Sequence, residues 1–227
     1  MSVSEDRTVQ PTSVTLVSVP GIADPAPLGL AAFALTTFLL SAFNANWMTH
    51  AGGNTWIPYA LAYGGIAQLL AAMWEFRNRN VIGSTGFGTF GAFWIGLALY
   101  FLLEVNPAVA AAVAHPLTLT TVVAHIHHDL AWILLGFGIF TLYATILIAQ
   151  TNTALFATFL LLFATIVILV IGFFNLSGTA TTSGIVQTGG YVGLVTALVA
   201  WYTSAAGMAA GIGGRLKLPV GPPLIKP

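Results

Sequence analysis

Three of the five histidines fall within five residues, as His125-Ile126-His127-His128-Asp129. Imidazole and carboxylate both ligate transition metals. On a helix His125 and Asp129 would share a face, because residues four apart stand one turn above each other. Against a metal site, the chain has no cysteine, and it carries no His-Glu-x-x-His pattern. A second reading is pH modulation by His125, His127 and His128, since imidazole titrates near neutrality. A third is an interfacial or loop segment that does neither. His50 and His115 add no pattern to these.

The remaining polar groups are mostly neutral and interrupt long apolar runs. They are Thr36, Thr37, Ser41, Asn44, Gln68, Thr141, Thr145 and Asn175. Threonine and serine hydroxyls can bond to a carbonyl of their own helix. Asn44, Gln68 and Asn175 are expected to need partners on other helices or a place along a pore. No acid or base falls in the middle of an apolar run. Glu75 and Glu104 stand at the ends of runs, and Asp24 precedes one. Glu75 is expected to pair with Arg77 and Arg79. The pattern argues against a carboxylate proton relay and suits a route for a small neutral or weakly charged species.

The elements that position these groups must be membrane helices. The chain is 57% hydrophobic and 5% charged, with a mean hydropathy of +0.91. A soluble domain carries roughly a quarter charged residues. Net charge is zero, so no bulk attraction to nucleic acid is expected. Six runs approach the roughly 20 residues that cross the hydrocarbon as a helix. They are Leu28–Trp47, Ile57–Trp74, Thr85–Leu103, Leu130–Ala149, Ala154–Phe174 and Ile185–Met208. The fold class is therefore all-α integral membrane, six helices in a channel-like bundle. Residues 107–124 are apolar enough to suggest a seventh span, but His115-Pro116 interrupts them. All six Lys and Arg fall on one side if there are six spans. The positive-inside rule then predicts cytoplasmic N- and C-termini and an outer loop over 107–124, or in its place a helix lying in the interface. The first span is too long and its flank too little basic for a cleaved signal. Residues 1–23 are expected to form a disordered tail, 24–210 the transmembrane domain, and 211–227 a proline-rich tail without regular structure.

The first span opens on Asp24-Pro25-Ala26-Pro27. Asp24 can cap the helix, and Pro25 suits its first position. Pro27 still lies in the first turn, where N–H groups lack intrahelical partners. A helix start also favours anions, while the charge of Asp24 opposes them.

These residues resemble a known family. DPAPLGL (24–30) is similar to the signature Asn-Pro-Ala-Pro-Leu-Gly-Leu of the acetate uptake transporter family, the YaaH or succinate–acetate permease type. FALTTFLLSAFN (33–44), YGGIAQLLAAMWEFRNRN (63–80) and GSTGFGTFGAFW (83–94) continue the resemblance. So do GIFTLY (138–143), LLFATIVILVIGFFNLSG (161–178) and TGGYVGLVTALVAWYTSA (188–205). The resemblance implies a multi-pass plasma-membrane protein, assembled as a homohexamer with one pathway per protomer. It implies uptake of acetate and, in some members, succinate, with no cofactor. It also implies a hydrophobic constriction, which falls on Phe33, Phe90 and Leu162. Asp24, Pro25, Pro27, Gly29, Thr36, Thr37, Asn44, Gln68 and Asn175 are the expected pathway residues. The chain departs from the pattern at Asp24, where the family has Asn, at Phe90, where it has Tyr, and in its long His-rich outer segment. The expected function is transport of acetate and related short carboxylates, proton-linked. A passive channel for urea or ammonia is the alternative on the same bundle. An intramembrane metalloenzyme built on the His cluster is a further alternative, and the absence of buried acids and nucleophiles speaks against it.

Overall fold

The computed structural model describes residues 21–48, 54–177, 179–180 and 182–225. The expected disorder of the N-terminal tail concerns residues that lie, up to residue 20, outside this set. Among the described residues six helices are long and apolar enough to cross a membrane. We number them α1 (Ala26–Asn44), α2 (Ile57–Arg77), α3 (Val81–Ala112), α4 (Pro116–Ile148), α5 (Thr153–Phe174) and α6 (Gly184–Ile212). No strand occurs among the described residues.

The helix starts follow their capping chemistry. Asp24 Oδ1 accepts from the Ala26 N–H at 2.9 Å. Pro25 already has helical dihedrals, and its carbonyl accepts from Gly29 N at 3.2 Å. The prolines at 25 and 27 thus fill positions whose missing N–H leaves no ladder bond unmade. Asn80 caps α3 through Gly83 N at 3.0 Å, and Asn152 caps α5 through Leu155 N at 2.9 Å. Gly213 ends α6 with φ +67°, the left-handed conformation that glycine adopts at no steric cost.

Small residues set how closely the helices approach. α1 and α6 lie antiparallel. At one end a Cβ on Gly190 would strike the backbone of Ser41 and Ala45. At the other, Ser204 Oγ donates to the Pro27 carbonyl at 2.6 Å. Hydroxyls of α5 and α6 also meet, Thr165 with Thr196 at 3.2 Å and Thr158 with Thr203 at 3.5 Å. Part of α2, Ala60–Ala67, and part of α3, Phe101–Val105, are wound as π-helix. Such turns break the i→i−4 ladder and occur often near functional sites.

Two sequence expectations are corrected here. Residues 107–124 are neither an outer loop nor a seventh span. They extend α3 and α4, which meet at a short turn over 113–115. At 1.5 Å per residue both helices run to about 50 Å, well past a hydrocarbon core of roughly 30 Å. His115-Pro116 breaks the chain direction once, as the proline's effect on the residue before it requires. Glu75, in turn, does not pair with Arg77 and Arg79. It is fully buried, and its Oε2 accepts from Asn78 Nδ2 at 3.2 Å. Two residues along a helix is about 200° of rotation, so Glu75 faces the bundle while Arg77 faces out.

The described part of the C-terminal tail, 213–225, has no helix or strand, yet it is docked. Leu224 N and Ile225 N both donate to the Ala149 carbonyl, at 2.9 and 3.0 Å. Ala154 N donates to the Val220 carbonyl at 2.9 Å. Thr153 Oγ1 and Tyr202 Oη donate to the carbonyls of Pro222 and Pro219, each at 2.7 Å.

Candidate functional site: a line of chambers through the bundle

Three cavities follow one another along α1, α3 and α5. The tail-side chamber has a volume of about 400 Å3, and its wall includes Asp24, Pro27, Phe33, Gln68, Phe90 and Leu162. The middle chamber, about 50 Å3, is lined among others by Phe33, Thr37, Asn44, Phe90, Trp94 and Leu162. The far chamber, about 230 Å3, is lined among others by Asn44, Trp56, Phe101, His127, Leu169 and Phe173.

Phe33, Phe90 and Leu162 come from α1, α3 and α5 and line both the tail-side and the middle chamber. They are 5%, 5% and 7% exposed. Phe33 and Phe90 rings lie 5.6 Å apart. Phe90 also meets Phe140 at 5.6 Å and Phe159 at 6.1 Å, both edge-on. Such tilted aromatic contacts are the favoured arrangement and hold the rings in place. A second junction joins the middle and far chambers through Leu40, Asn44, Leu134 and Leu169. Leucines spaced like these look the same in sequence as leucines that face lipid, so only Asn44 marked this junction beforehand.

Unmet hydrogen-bonding capacity gathers along the same line. Among the described residues six buried side-chain polar atoms have no partner. Gln68 Oε1 belongs to the tail-side chamber, Thr37 Oγ1 and Trp94 Nε1 to the middle one, and Trp56 Nε1 and His127 Nδ1 to the far one. The sixth is Glu75 Oε1. Buried polar groups are nearly always paired, and a desolvated unpaired one costs about 1–3 kcal/mol. Five of the six belong to residues that line the chambers.

Other expected pathway residues stand elsewhere. Thr36 donates to the Ala32 carbonyl of its own helix at 2.9 Å. Gly29 and Pro25 are buried and line none of the three chambers. A Cβ on Gly29 would strike Phe87, so that glycine serves packing between α1 and α3. Asn175 is corrected more sharply. It is exposed at the end of α5, and its Nδ2 donates to the Ile171 carbonyl four residues back, at 2.8 Å. Its partner is local after all, because a residue just past a helix end can reach back to the last free carbonyls. Thr141 and Thr145 likewise bond within their own helix, at 2.8 and 2.7 Å.

The histidines divide. His125 and His128 are exposed, and His128 packs edge-on against Phe174 at 4.9 Å. His127 is buried in the bundle, stacked on Phe173 at 6.2 Å. That corrects the expectation that all three lie at the outer surface away from the spans. The helical continuation of α4 turns one histidine in three inward. Among the described residues no three His, Asp or Glu converge as metal ligands. Asp129, expected to share a face with His125, accepts from Tyr100 Oη at 3.4 Å.

A six-helix membrane bundle with three chambers in line, the first two sharing a wall of Phe33, Phe90 and Leu162, has the architecture of a channel-like membrane protein. The chain belongs to the GPR1/FUN34/yaaH family, whose model matches residues 6–222. It is 33% identical over 217 residues to acetate permease A of Emericella nidulans, covering 93% of this chain and 70% of that one. It is 34% identical to ammonia transport outward protein 2 of Saccharomyces cerevisiae, covering 82% of this chain but 62% of that relative's length. The fold matches a solved structure titled as the bacterial acetate channel SatP with a TM-score of 0.72 and 29% identity. That match covers 88% of this chain and all of the other.

Proposed function

We propose that the chain carries acetate and related short carboxylates, succinate among them, across the plasma membrane through the three chambers. Phe33, Phe90 and Leu162 form the gate, and Asp24, Pro27, Gln68, Thr37 and Asn44 are pathway residues. The observation that carries this reading is the shared wall: the same three apolar side chains bound both the tail-side and the middle chamber. Two relatives named for acetate support the choice of cargo.

The ring decides the form in which cargo crosses. Holding a proton on an ordinary carboxyl at pH 7 costs about 3.7 kcal/mol, from a model value near 4.3. Stripping an ionised carboxylate of water in an apolar ring costs more, on the order of tens of kcal/mol in the limit without relaxation. Passage with a proton is therefore the cheaper route, and the methyl group of acetate meets an apolar wall. The family resemblance adds six copies per assembly, one pathway in each.

Ammonia is the second reading, carried by the name of the yeast relative. Labelled acetate uptake into liposomes holding only this protein tests the first. Saturable acetate uptake supports it. Ammonia flux with no acetate flux replaces it by the second.

A further inference from the structure

A further cavity, of about 120 Å3, lies outside the line of chambers, between α3, α4 and α5. The sequence explains why it exists. α3 and α4 lock through aromatic pairs, Phe93 with Phe137 at 4.8 Å and Phe90 with Phe140 at 5.6 Å. Toward the tail-side end the lining residues become Gly86 and Ala144, too small to fill the space, and a groove opens. Val81, Thr85, Tyr143 and Leu147 form its rim, and all four are exposed. Exposed side chains on membrane-spanning helices face lipid or another protein, so the groove opens sideways, away from the path. It shares only Ile82, Gly86 and Phe159 with the tail-side chamber. Apart from the hydroxyls of Thr85 and Tyr143 its lining side chains are apolar, and no acid or base is among them. Water gains little in such a site, whereas an alkyl chain fits it. Charge at the tail-side end selects the kind of lipid. Arg79 is two residues from Val81 on the rim, at most about 7 Å of chain. Arg77 stands just before it, and both are exposed. Glu75 is turned into the bundle, where it accepts from Asn78, and so leaves their charge unopposed. A guanidinium fork matches a phosphate.

We propose that this groove binds an anionic phospholipid of the tail-side leaflet, with one acyl chain between α3 and α4 and the phosphate on Arg79 and Arg77. The acyl chain lies against Phe140 and Phe159, the two rings that meet Phe90 edge-on. The lipid therefore supports, from outside, the aromatic cluster to which Phe90 belongs. Its binding is independent of what the path carries, so the site stands whether or not the transport reading does.

Native mass spectrometry of the whole protein tests this, with release from nanodiscs of equal parts phosphatidylglycerol and phosphatidylcholine. The unmodified protein should retain phosphatidylglycerol over phosphatidylcholine by about twentyfold, since each of two cations at an anionic surface adds about fivefold. Arg77→Gln combined with Arg79→Gln should bring that ratio close to one. Thr85→Phe and Leu147→Trp each fill the groove from one side of its rim, at exposed positions where the fold tolerates change. Either should remove the retained phosphatidylglycerol with both arginines in place, and Thr85→Val should keep it. Equal retention of the two lipids by the unmodified protein overturns the proposal, as does a preference that survives loss of both arginines. A preference that neither filling variant moves means that the arginines gather lipid at the surface without the groove, and it overturns the proposal too. If the filling variants instead split an assembly of several copies and leave the lipid count unchanged, the groove is an interface between copies and holds no lipid.

Discussion

The rings of Phe33 and Phe90 meet with centroids 5.6 Å apart and planes tilted by 58°, on the boundary between a chamber of about 400 Å3 and one of about 50 Å3. Leu162 closes the third side of that boundary. Apolar constrictions of this kind gate by dewetting. Shortening Phe33 or Leu162 to Ala should widen the passage and raise succinate uptake relative to acetate. Each change should also lower stability by about 2–5 kcal/mol, as truncations of buried side chains do. Phe90→Tyr should be tolerated, because the family resemblance places Tyr there. The ratio of acetate to succinate uptake is the readout. Normal insertion of both Ala variants with an unchanged ratio would show that other residues form the gate.

Gly190 should be intolerant of any side chain. A Cβ there meets Ser41 O and Ala45 N, backbone atoms that cannot rotate away. Gly190→Ala should therefore push α1 from α6 and cost about 3 kcal/mol, the upper range for overpacking. Gly96→Ala is the control, since a Cβ at Gly96 meets nothing within 4 Å. It should be neutral or stabilise by up to about 1 kcal/mol through helix propensity. Thermal unfolding in detergent compares the two. Equal melting temperatures for both variants would mean that the α1–α6 contact yields more than its geometry allows.

Glu75 and its neighbouring arginines should behave in opposite ways. Arg77 is exposed, so Arg77→Gln should change stability by less than about 0.5 kcal/mol. Glu75→Ala removes the acceptor of Asn78 and empties a fully buried site, with an expected loss of about 2 kcal/mol. Glu75→Gln keeps shape and acceptor and should lose less. The same unfolding assay decides. A cost for Arg77→Gln equal to that of Glu75→Ala would restore the ion pair read from sequence.

Much of the fold was legible because lipid leaves few choices. A run such as residues 154–174 has no soluble alternative, and the capping of α1 by Asp24 follows from local chemistry alone. The wall that Phe33, Phe90 and Leu162 share, which we propose as the gate, was legible only through family resemblance, since the three lie on different helices with no spacing to connect them. His127 and Glu75 were misread for one reason: periodicity places a residue on a helix face only when the helix is known to continue through it. Residues 107–124 were read as a loop, so His127 had no inward face to occupy. The leucines of the second junction and the docked tail carry no local signal at all, because their roles exist only once the helices are assembled.

The orientation in the membrane follows from the cations and the helix count. Arg77, Arg79, Arg215 and Lys217 all lie at the end of the bundle that holds the tail. The positive-inside rule predicts that this end is cytoplasmic and that the 113–115 turn is outside. Single cysteines introduced at Thr118 and Leu216 of this cysteine-free chain should label from opposite sides of intact cells. Labelling of both by one impermeant reagent would refute the six-span topology.

Leu218 and Val220 belong to the wall of the tail-side chamber, so the docked C-terminal segment stands at one mouth of the proposed path. Its hold is a handful of backbone-directed hydrogen bonds, two of them from the side chains of Thr153 and Tyr202. Each such bond contributes about 1 kcal/mol. Thr153→Val combined with Tyr202→Phe should therefore loosen the segment without touching the gate. Limited proteolysis should then cut the tail faster, because cleavage follows the population of the opened form. Ending the chain at Gly213 should go further and raise the initial rate of acetate uptake at low concentration, as removal of an obstructing lid does. Faster proteolysis with unchanged uptake, in both the double variant and the shortened chain, would show that the segment packs against the mouth without limiting flow.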